Sequence, residues 1–470
     1  MARHDLHESL CEIVGARYVV DSDFAVWAYA RDASAYPARP PGIVVRPDTS
    51  EEISEIVKLA NRHRVPIIPR GGGTQYGGWP PGDPGRSICI DMTRMRRVLD
   101  INELNSTVTV EAGITGSELE ERLLRRGLYA HTTFSPPDSV TIGGALCGVF
   151  GGGGAKFATL AANWPTIVGV KVVLPNGDIV ETGTRSNKHS KMFFRAAFGP
   201  DLTGLFIGSY GIFGVVTEVT QELFRNQPYK REGAVVYGAA RLDDANRAMI
   251  EIGLREPKLC SLGGIFGVGP SVKGEQDWQL IYQVTAHTKE EMDTKAETVE
   301  RIIQETAAPD AWHPEAATGF AERTLHFGHD SSNGTKVLGM PTFIEFLAPR
   351  DSGLVLFRAI RELIEKEIEG WEGRVSCWGC AMWLCGDQHY LSFFLNHNEA
   401  DPEAREMALA AARKVNRVGL EMGGFKLVLN KDVGDVCAEM IPDPYARLLC
   451  TLKEELDPNN IMTPHMLSLP

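Results

Sequence analysis

A run of glycines directly after a short apolar strand constrains this chain more than any other feature. The strand at residues 65–70 reads VPIIPR, and it leads straight into GGGTQYGG at residues 71–78. Glycine adopts positive φ at little cost and leaves room for close approach, so the N–H groups of such a turn can bind an anion. The usual anion is a phosphate or pyrophosphate. A simple pair of tight turns is the alternative interpretation.

A second glycine field lies downstream in an otherwise folded region. Residues 141–154 read TIGGALCGVFGGGG. One such loop is ordinary, whereas two loops indicate a long phosphorylated ligand that lies between them. The two fields together therefore predict a nucleotide-like ligand.

Length and charge limit the class of protein. A chain of 470 residues exceeds the usual size of a single hydrophobic core, so we expect two domains. The hydrophobic content of 43% and the charged content of 23% are typical of a globular protein. The formal net charge of −13 argues against nucleic acid or an anionic membrane as partner.

The sequence also predicts a location. No apolar run approaches the ~20 residues that a membrane-spanning helix needs, and the first residues lack the apolar stretch of a secretion signal. Nine cysteines, an odd number without a repeating framework, favour thiols over disulfides. We therefore expect a cytoplasmic protein.

Local signals outline the secondary structure. A β-α-β-loop order runs over residues 43–78, and its helix is capped by Thr49 or Ser50. A further helix is expected to start from a cap at Ser117, and the Asn-Gly at residues 176–177 predicts a hairpin. From Lys431 onward we expect one helix and then a proline-containing tail.

Several of these segments resemble one known family. The similar segments are PRGGGT at 69–74, TIGG at 141–144, GPDLTGLF at 199–206, GVVTE at 214–218 and LDPNNIMTP at 456–464. Together they resemble the flavin-binding domain of the vanillyl-alcohol oxidase and p-cresol methylhydroxylase superfamily. Glycolate oxidase and the D-2-hydroxyacid dehydrogenases belong to the same superfamily.

The resemblance implies the fold. We expect an α+β protein with a two-subdomain FAD-binding domain of the p-cresol methylhydroxylase type at residues 1–225, its core at about 40–222. An α+β cap domain that holds the substrate is expected at residues 226–430. Residues 431–470 are expected to return to the FAD domain.

The resemblance also implies which residues bind FAD. They lie in the two glycine fields and in one later strand: Pro69, Arg70, Gly71, Gly72, Gly73, Thr74, Gln75, Pro137, Asp138, Thr141, Ile142, Gly143, Gly144, Gly148, Gly151, Gly152, Ile212 and Val215. Some family members attach FAD covalently through a His or a Cys at the positions of Thr74 and Pro137. Neither residue can form that bond, so we expect FAD without a covalent link, although attachment through the cap domain stays open.

One departure from the family removes a metal site. The 2-hydroxyacid dehydrogenases carry two metal-binding histidines, and Leu384 and Leu391 stand at those positions here. Leucine cannot coordinate a cation, so no metal is expected. His389 is left as a candidate proton acceptor, and a hydrogen-bonded histidine at a strand end is the alternative.

A second comparison concerns the phenol-oxidising branch. Tyr76 resembles the tyrosine that binds the substrate phenolate there, and Phe425-Lys426 resembles a later Tyr-Arg pair. Lys426 is therefore a candidate anchor for an anionic oxygen, although lysine lacks the fork of arginine. Asp138 is a candidate base. An aromatic turn residue that packs on the cap is the alternative for Tyr76.

These features predict an FAD-dependent dehydrogenase or oxidase that removes a hydride from a small alcohol, hydroxyacid or phenol. Two alternatives stay open: an enzyme that forms a flavin adduct, similar to the alkyl-glycerone-phosphate synthases, and an electron-relay subunit that docks an iron–sulfur partner. The substrate is a small molecule, and the electron acceptor is not indicated. A homo-oligomer or a complex with an electron-transfer protein is left open.

Overall fold

A computed structural model describes residues 3–77, 84–130, 138–148, 166–267, 276–315, 340–385, 388–426 and 431–464, together with Met466. Mixed helices and antiparallel and parallel strands confirm the expected α+β class. Pro137, Gly151 and Gly152 lie outside the described residues.

The N-terminal part of the chain forms a small sheet of mainly parallel strands. In the described residues the strand order is β1-β2-β4-β3, and β1 is the antiparallel member. The elements are α1 (Arg3–Val14), β1 (Val19–Val20), α2 (Asp23–Trp27), β2 (Ile43–Val45), α3 (Ser50–His63), β3 (Ile67–Arg70) and β4 (Ile88–Asp91). Thr49 caps α3 by accepting a hydrogen bond from the N–H of Glu52, which confirms the expected β-α-β order. The first glycine loop thus begins where β3 ends.

A second, antiparallel sheet follows, with the order β5-β6-β10-β8-β9. Its strands and the neighbouring elements are β5 (Val98–Asn102), β6 (Thr107–Glu111), α4 (Gly116–Leu124), β7 (Leu128–Tyr129), α5 (Ile142–Cys147), β8 (Ile167–Val173), β9 (Ile179–Glu181), α6 (Thr203–Phe206), β10 (Val215–Glu222) and β11 (Phe224–Arg225). The predicted hairpin at residues 176–177 is confirmed by the pairing of β8 with β9.

The cap of α4 differs from the expectation. The helix starts after Thr115, whose hydroxyl accepts from the N–H of Glu118 while the Glu118 carboxylate accepts from the N–H of Thr115. This reciprocal capping box satisfies two free N–H groups at once. The expectation of a cap at Ser117 was therefore wrong, because Thr115 with Glu118 forms the stronger pair.

A large antiparallel sheet occupies most of residues 229–397, in the order β15-β12-β14-β13-β17-β18-β16. Its elements are β12 (Tyr229–Tyr237), α7 (Leu242–Gly253), β13 (Leu262–Gly267), β14 (Trp278–Ala286), α8 (Lys289–Ala307), β15 (Ala311–Trp312), β16 (Met340–Pro349), α9 (Gly353–Glu367), β17 (Val375–Cys385), β18 (Gln388–His397) and α10 (Pro402–Glu421). Asp401 caps α10 by accepting a hydrogen bond from the N–H of Ala404.

The two faces of this sheet are buried against different partners. Side chains such as Phe346, Leu391 and Phe393 pack with helices α7 to α10. Alternate residues such as Phe343 and Tyr390 pack into the core that contains the two smaller sheets. Because side chains alternate along a strand, neighbouring residues of β16 and β18 belong to opposite faces. We call the face with Phe343 and Tyr390 the inner face and the other the helix face.

The C-terminal segment contains α11 (Lys431–Met440) and α12 (Asp443–Leu456). The single helix expected from Lys431 is therefore wrong. Pro442 separates two helices, because proline has no N–H to donate and disfavours helix in the residue before it. The chain then pairs with β3 through Ile67 and Met462. The domain boundaries near residues 225 and 430 stay predictions.

Candidate active site

A cleft lies where the two smaller sheets meet. The first glycine loop forms one wall, the second glycine field forms the opposite wall, and the segment that enters β10 closes one side. The lining residues are Pro69, Arg70, Gly71, Gly72, Gly73, Thr74, Gln75, Tyr76, Met92, Ala112, Val140, Thr141, Gly143, Gly144, Ala145, Cys147, Gly148, Tyr210, Gly211, Gly214 and Val216.

Missing side chains allow the two loops to approach this closely. A Cβ on Gly72 would lie 1.7 Å from the carbonyl oxygen of Ser139, and one on Gly71 would lie 2.1 Å from Oγ1 of Thr141. In the second field, a Cβ on Gly143 would lie 2.6 Å from Cβ of Ala112. Real atoms cannot approach so closely, so each of these positions requires glycine.

Hydrogen bonds hold the walls of the cleft together. Thr141 caps α5 by accepting from the N–H of Gly144 at 3.2 Å. The Gln75 amide crosses the cleft and donates to the Gly148 carbonyl at 2.9 Å. The Tyr210 hydroxyl donates to the same carbonyl at 3.3 Å, and the Tyr210 N–H donates to Cys147 at 2.9 Å. The cleft is thus a preformed structure rather than a gap between loose loops.

The first glycine loop carries polar groups without acceptors. Within the described part of the chain, the backbone N–H groups of Gly72, Gly73 and Thr74 donate to no other residue. Nη1 of Arg70 is buried and has no hydrogen-bond partner among the same residues. A diphosphate could accept from these accessible N–H groups and lie beside the positive charge of Arg70, which also lines the cleft. These residues therefore fit the phosphate bridge of a dinucleotide.

Tyr76 connects the cleft with the large sheet. Its ring lies 5.2 Å from the ring of Phe343 and 6.4 Å from that of Phe394, measured between centroids. Both phenylalanines belong to the inner face, and their own rings lie 4.7 Å apart. Burial and then the charge of Asp32 raise the pKa of the Tyr76 phenol. Tyr76 therefore stays a neutral hydrogen-bond donor at neutral pH.

Most of the predicted cofactor residues border this cleft, but some do not. Ile142 and Val215 are buried in the core beside the lining residues. Ile212 is buried too, and its carbonyl accepts from Lys453 at 3.0 Å. Asp138 is exposed outside the cleft, where its Oδ1 accepts from the Ser117 hydroxyl at 2.5 Å.

Other lining residues were not predicted from the sequence. They are Met92, Ala112, Val140, Ala145, Cys147, Tyr210, Gly211, Gly214 and Val216. The spacing of Gly208, Gly211 and Gly214 is a signal that could have identified the third wall. The apolar members carry no such signal, because their sequence context is that of any buried strand.

Lys426 is buried in an ion pair. Its side chain is 2% exposed, and its Nζ lies 3.2 Å from Oε1 of Glu345, which is fully buried. The same ammonium donates to Oδ1 of Asn416 at 3.2 Å and lies 5.2 Å from the ring centroid of Phe346. The positive charge is thus already compensated within the protein. This lowers the capacity of Lys426 to bind an anionic substrate group.

His389 lies on the helix face of the large sheet. It pairs in register with Leu384 of β17 and Ala348 of β16, both of which belong to the helix-side core. A Cβ on Gly353 of α9 would lie 2.3 Å from its Nδ1. The imidazole therefore points away from Tyr76, and the structure does not bring His389 together with the cleft.

The environment of His389 predicts an acid-sensitive fold. Burial and then the charge of Arg350 lower the pKa of the imidazole from 6.5 to about 4. The unfolded chain binds the proton more readily than the folded chain between these values, so stability falls as the pH falls from 6.5 to 4. Full loss amounts to roughly 3 kcal/mol.

Replacing His389 with Leu should remove the fall in the thermal midpoint that the wild type shows as the pH is lowered from 6.5 to 4. The exposed His63→Gln is the matched control and should leave the profile as in the wild type. An unchanged acid limb in His389→Leu would show that other groups cause the acid sensitivity.

The described segments contain no group of three or more His, Cys, Asp or Glu side chains placed to hold a metal ion. No helix in the same segments is both long and apolar enough to cross a membrane.

Known sequences resemble part of this chain. Residues 41–183 match a family model described as FAD binding domain. The chain is 40% identical over 185 residues to a mitochondrial D-lactate dehydrogenase [cytochrome] of Arabidopsis thaliana. The aligned region covers 39% of this chain and 30% of that protein. It is 32% identical over 238 residues to glycolate oxidase subunit GlcD of Bacillus subtilis. The aligned region covers 50% of this chain and 48% of the GlcD subunit. The chain thus spans less than half the length of either relative.

Solved structures show the same fold over nearly the whole chain. p-Cresol methylhydroxylase superposes with a TM-score of 0.84 at 17% identity, covering 98% of this chain and 96% of that one. 4-Ethylphenol oxidase from Gulosibacter chungangensis superposes with a TM-score of 0.83 at 18% identity, covering 99% of this chain and 97% of that chain. An alkyldihydroxyacetonephosphate synthase superposes with a TM-score of 0.69 at 17% identity, covering 98% of this chain and 86% of that chain. The predicted p-cresol methylhydroxylase-type fold is confirmed.

Proposed function

We propose that this chain is an FAD-dependent oxidoreductase acting on a small alcohol, hydroxyacid or phenol. The match of residues 41–183 to a family model described as FAD binding domain supports the cofactor. FAD bound in the cleft would supply the acceptor for a hydride from the substrate carbon. The relatives named above include dehydrogenases and oxidases, which supports the reaction type.

One observation carries the proposal. Tyr76 lines the cleft of the glycine loops and packs directly on the aromatic inner face of the large sheet. A dinucleotide in the cleft would therefore lie beside the packed aromatic cluster of Tyr76, Phe343 and Phe394. An aromatic surface next to the cofactor suits a small, largely apolar substrate.

The roles of individual residues follow from their positions. Arg70 and the free N–H groups of residues 72–74 would hold the diphosphate. The neutral Tyr76 hydroxyl would donate a hydrogen bond to the substrate oxygen and orient it. Asp138 lies outside the cleft and His389 on the far face of the sheet, so neither is assigned the base.

The FAD is proposed to be held without a covalent bond at the first loop, because Thr74 lines the cleft where some family members carry a linking histidine. Acid precipitation of the purified protein should then release all flavin into the supernatant. Flavin that stays with the precipitate would show attachment elsewhere, such as in the cap.

A cytoplasmic location also stays a prediction.

Anaerobic mixing with a panel of alcohols, 2-hydroxyacids and phenols tests the reaction. At least one compound should bleach the flavin absorbance near the visible maximum as the flavin is reduced. Bound flavin that no compound bleaches would contradict the proposal and favour the adduct-forming or electron-relay alternatives. The fold shared with alkyldihydroxyacetonephosphate synthase is consistent with the adduct-forming alternative.

A further inference from the structure

Arg70 is a cation at the wall of the cleft whose charge is not compensated by a carboxylate. It ends β3 and belongs to the lining residues. The neighbouring Arg46 differs, because its Nε lies 3.1 Å from Oδ2 of Asp91. Within the described part of the chain, the guanidinium of Arg70 forms no such ion pair. An uncompensated positive charge beside a cleft is suited to an anionic ligand.

The backbone of the first glycine loop leaves room for this guanidinium. Gly73 has a φ of +66°, and a Cβ at this position would lie 2.1 Å from Nη2 and 2.4 Å from Cζ of Arg70. The guanidinium therefore occupies the space that a side chain at residue 73 would need. It thus lies against the loop that contributes the free N–H groups of residues 72–74.

The aromatic ring of Tyr29 is a second neighbour of the guanidinium. Cζ of Arg70 lies 5.6 Å from the centroid of this ring. A guanidinium within about 6 Å of a ring centroid is attracted by the electrons of the ring. The ring is neutral, so it can hold the arginine in place without cancelling its charge. A carboxylate in the same position would compete with an anionic ligand.

Tyr29 is itself fixed in place. Its hydroxyl donates to Oδ2 of Asp91 at 2.8 Å, and Asp91 is buried. Oδ1 of the same carboxylate accepts from the N–H and the hydroxyl of Thr93 at 2.8 and 2.6 Å. The tyrosine packs against the buried cluster that contains Val44 and Cys89. Burial, and then the charge of Asp91, raise the pKa of the Tyr29 phenol, so the hydroxyl remains a donor at neutral pH.

We infer that Tyr29 is a positioning residue of the cofactor site, whose ring holds the guanidinium of Arg70 at the cleft wall for the diphosphate of FAD. The inference rests on the proposed binding of FAD. It assigns to Tyr29 no contact with the cofactor, since Tyr29 is not among the lining residues and acts through Arg70 alone. A purely structural role, in which the tyrosine only fills the core and pairs with Asp91, is the competing explanation.

Two substitutions of Tyr29 separate the ring from the hydroxyl. Tyr29→Leu removes the ring, and we expect FAD to bind about fivefold more weakly, as for the loss of one cation–π contact. Tyr29→Phe keeps the ring and removes only the hydrogen bond to Asp91. It should lower the thermal midpoint of the FAD-free protein, because a buried carboxylate loses a donor, while FAD affinity stays within about twofold of the wild type.

A double-variant cycle tests whether Tyr29 acts through Arg70. Arg70→Met should weaken FAD binding by roughly 30-fold, as for the loss of a charge-assisted contact. In that background, Tyr29→Leu should weaken binding by less than about twofold more, because no guanidinium is left to position. A purely structural role would give the same loss in both backgrounds.

Tyr18→Leu is the matched control. Cζ of Arg94 lies 3.6 Å from the centroid of the Tyr18 ring, and neither residue is among the lining residues of the cleft. The same kind of contact is thus removed elsewhere in the N-terminal part of the chain. We expect a lower thermal midpoint of the FAD-free protein and unchanged FAD affinity.

FAD affinity is measured by fluorescence titration of the FAD-free variants. Equal FAD affinity of Tyr29→Leu and wild type would overturn this inference, and so would an equal loss with and without Arg70. A Tyr29→Phe variant that binds FAD as weakly as Tyr29→Leu would also overturn it, because the hydroxyl rather than the ring would then be responsible. Failure of the wild type to take up FAD would overturn the proposed function as well.

Discussion

Replacing Gly72 with Ala is expected to abolish retention of FAD. The new Cβ would lie 1.7 Å from the carbonyl oxygen and 2.7 Å from the carbonyl carbon of Ser139, and both are backbone atoms that no rotamer change can move aside. The two glycine loops must therefore separate. Losing the alignment of two or more charge-assisted hydrogen bonds would weaken FAD binding by roughly 100-fold. Flavin absorbance per chain after gel filtration measures this directly.

Gly204→Ala is the control for this variant. The nearest atom to its Cβ would be Nη2 of Arg195 at 3.7 Å, and its φ lies in the ordinary range. We expect full FAD content and an unchanged thermal midpoint. If Gly72→Ala retained FAD as well as Gly204→Ala does, the close approach of the two loops would not be what forms the cofactor site.

Replacing Lys426 with Met is expected to destabilise the fold strongly. The substitution leaves the fully buried Glu345 without its positive partner. Removing one member of a buried ion pair typically costs about 3–5 kcal/mol, because the other charge remains uncompensated. The denaturation midpoint in urea should fall accordingly. The double variant Lys426→Met with Glu345→Gln should recover most of the loss.

An exposed ion pair provides the comparison. Arg417 and Glu439 are 42% and 55% exposed, with Nη1 and Oε2 2.6 Å apart. Arg417→Met should cost less than about 1 kcal/mol. If Lys426→Met were equally mild but slowed flavin reduction by anionic substrates only, Lys426 would be a substrate anchor and the structural role would be wrong.

The sequence predicted the parts of the site that depend on local backbone chemistry. The glycine loop after β3, the Thr49 cap and the Asn-Gly hairpin each follow from short-range rules, and each forms where expected. The main lining of the cleft could be predicted for the same reason, since only glycine permits two loops to approach so closely.

The orientation of His389 could not be predicted. Strands β17 and β18 are apolar on both faces, because helices cover one face and the flavin-binding part covers the other. Such strands read as continuous hydrophobic runs, so the alternation that would assign a side chain to one face is missing. The candidate base therefore turned out to lie on the helix face.

Contacts between segments that are distant in sequence could not be predicted from the sequence either. The partner of Lys426 is Glu345, which lies on an edge strand of the sheet 81 positions earlier in the chain. Lys453 joins the C-terminal tail to a distant loop by donating to the carbonyls of Met462 and Ile212. A sequence pattern describes neighbours along the chain, and these interactions depend on tertiary packing.

The most direct measurement is a titration of the FAD-free wild-type protein with FAD, followed by tryptophan and flavin fluorescence. We expect saturable uptake of one FAD per chain and a yellow complex whose flavin is released by acid. A colourless protein that takes up no FAD at any concentration would contradict it.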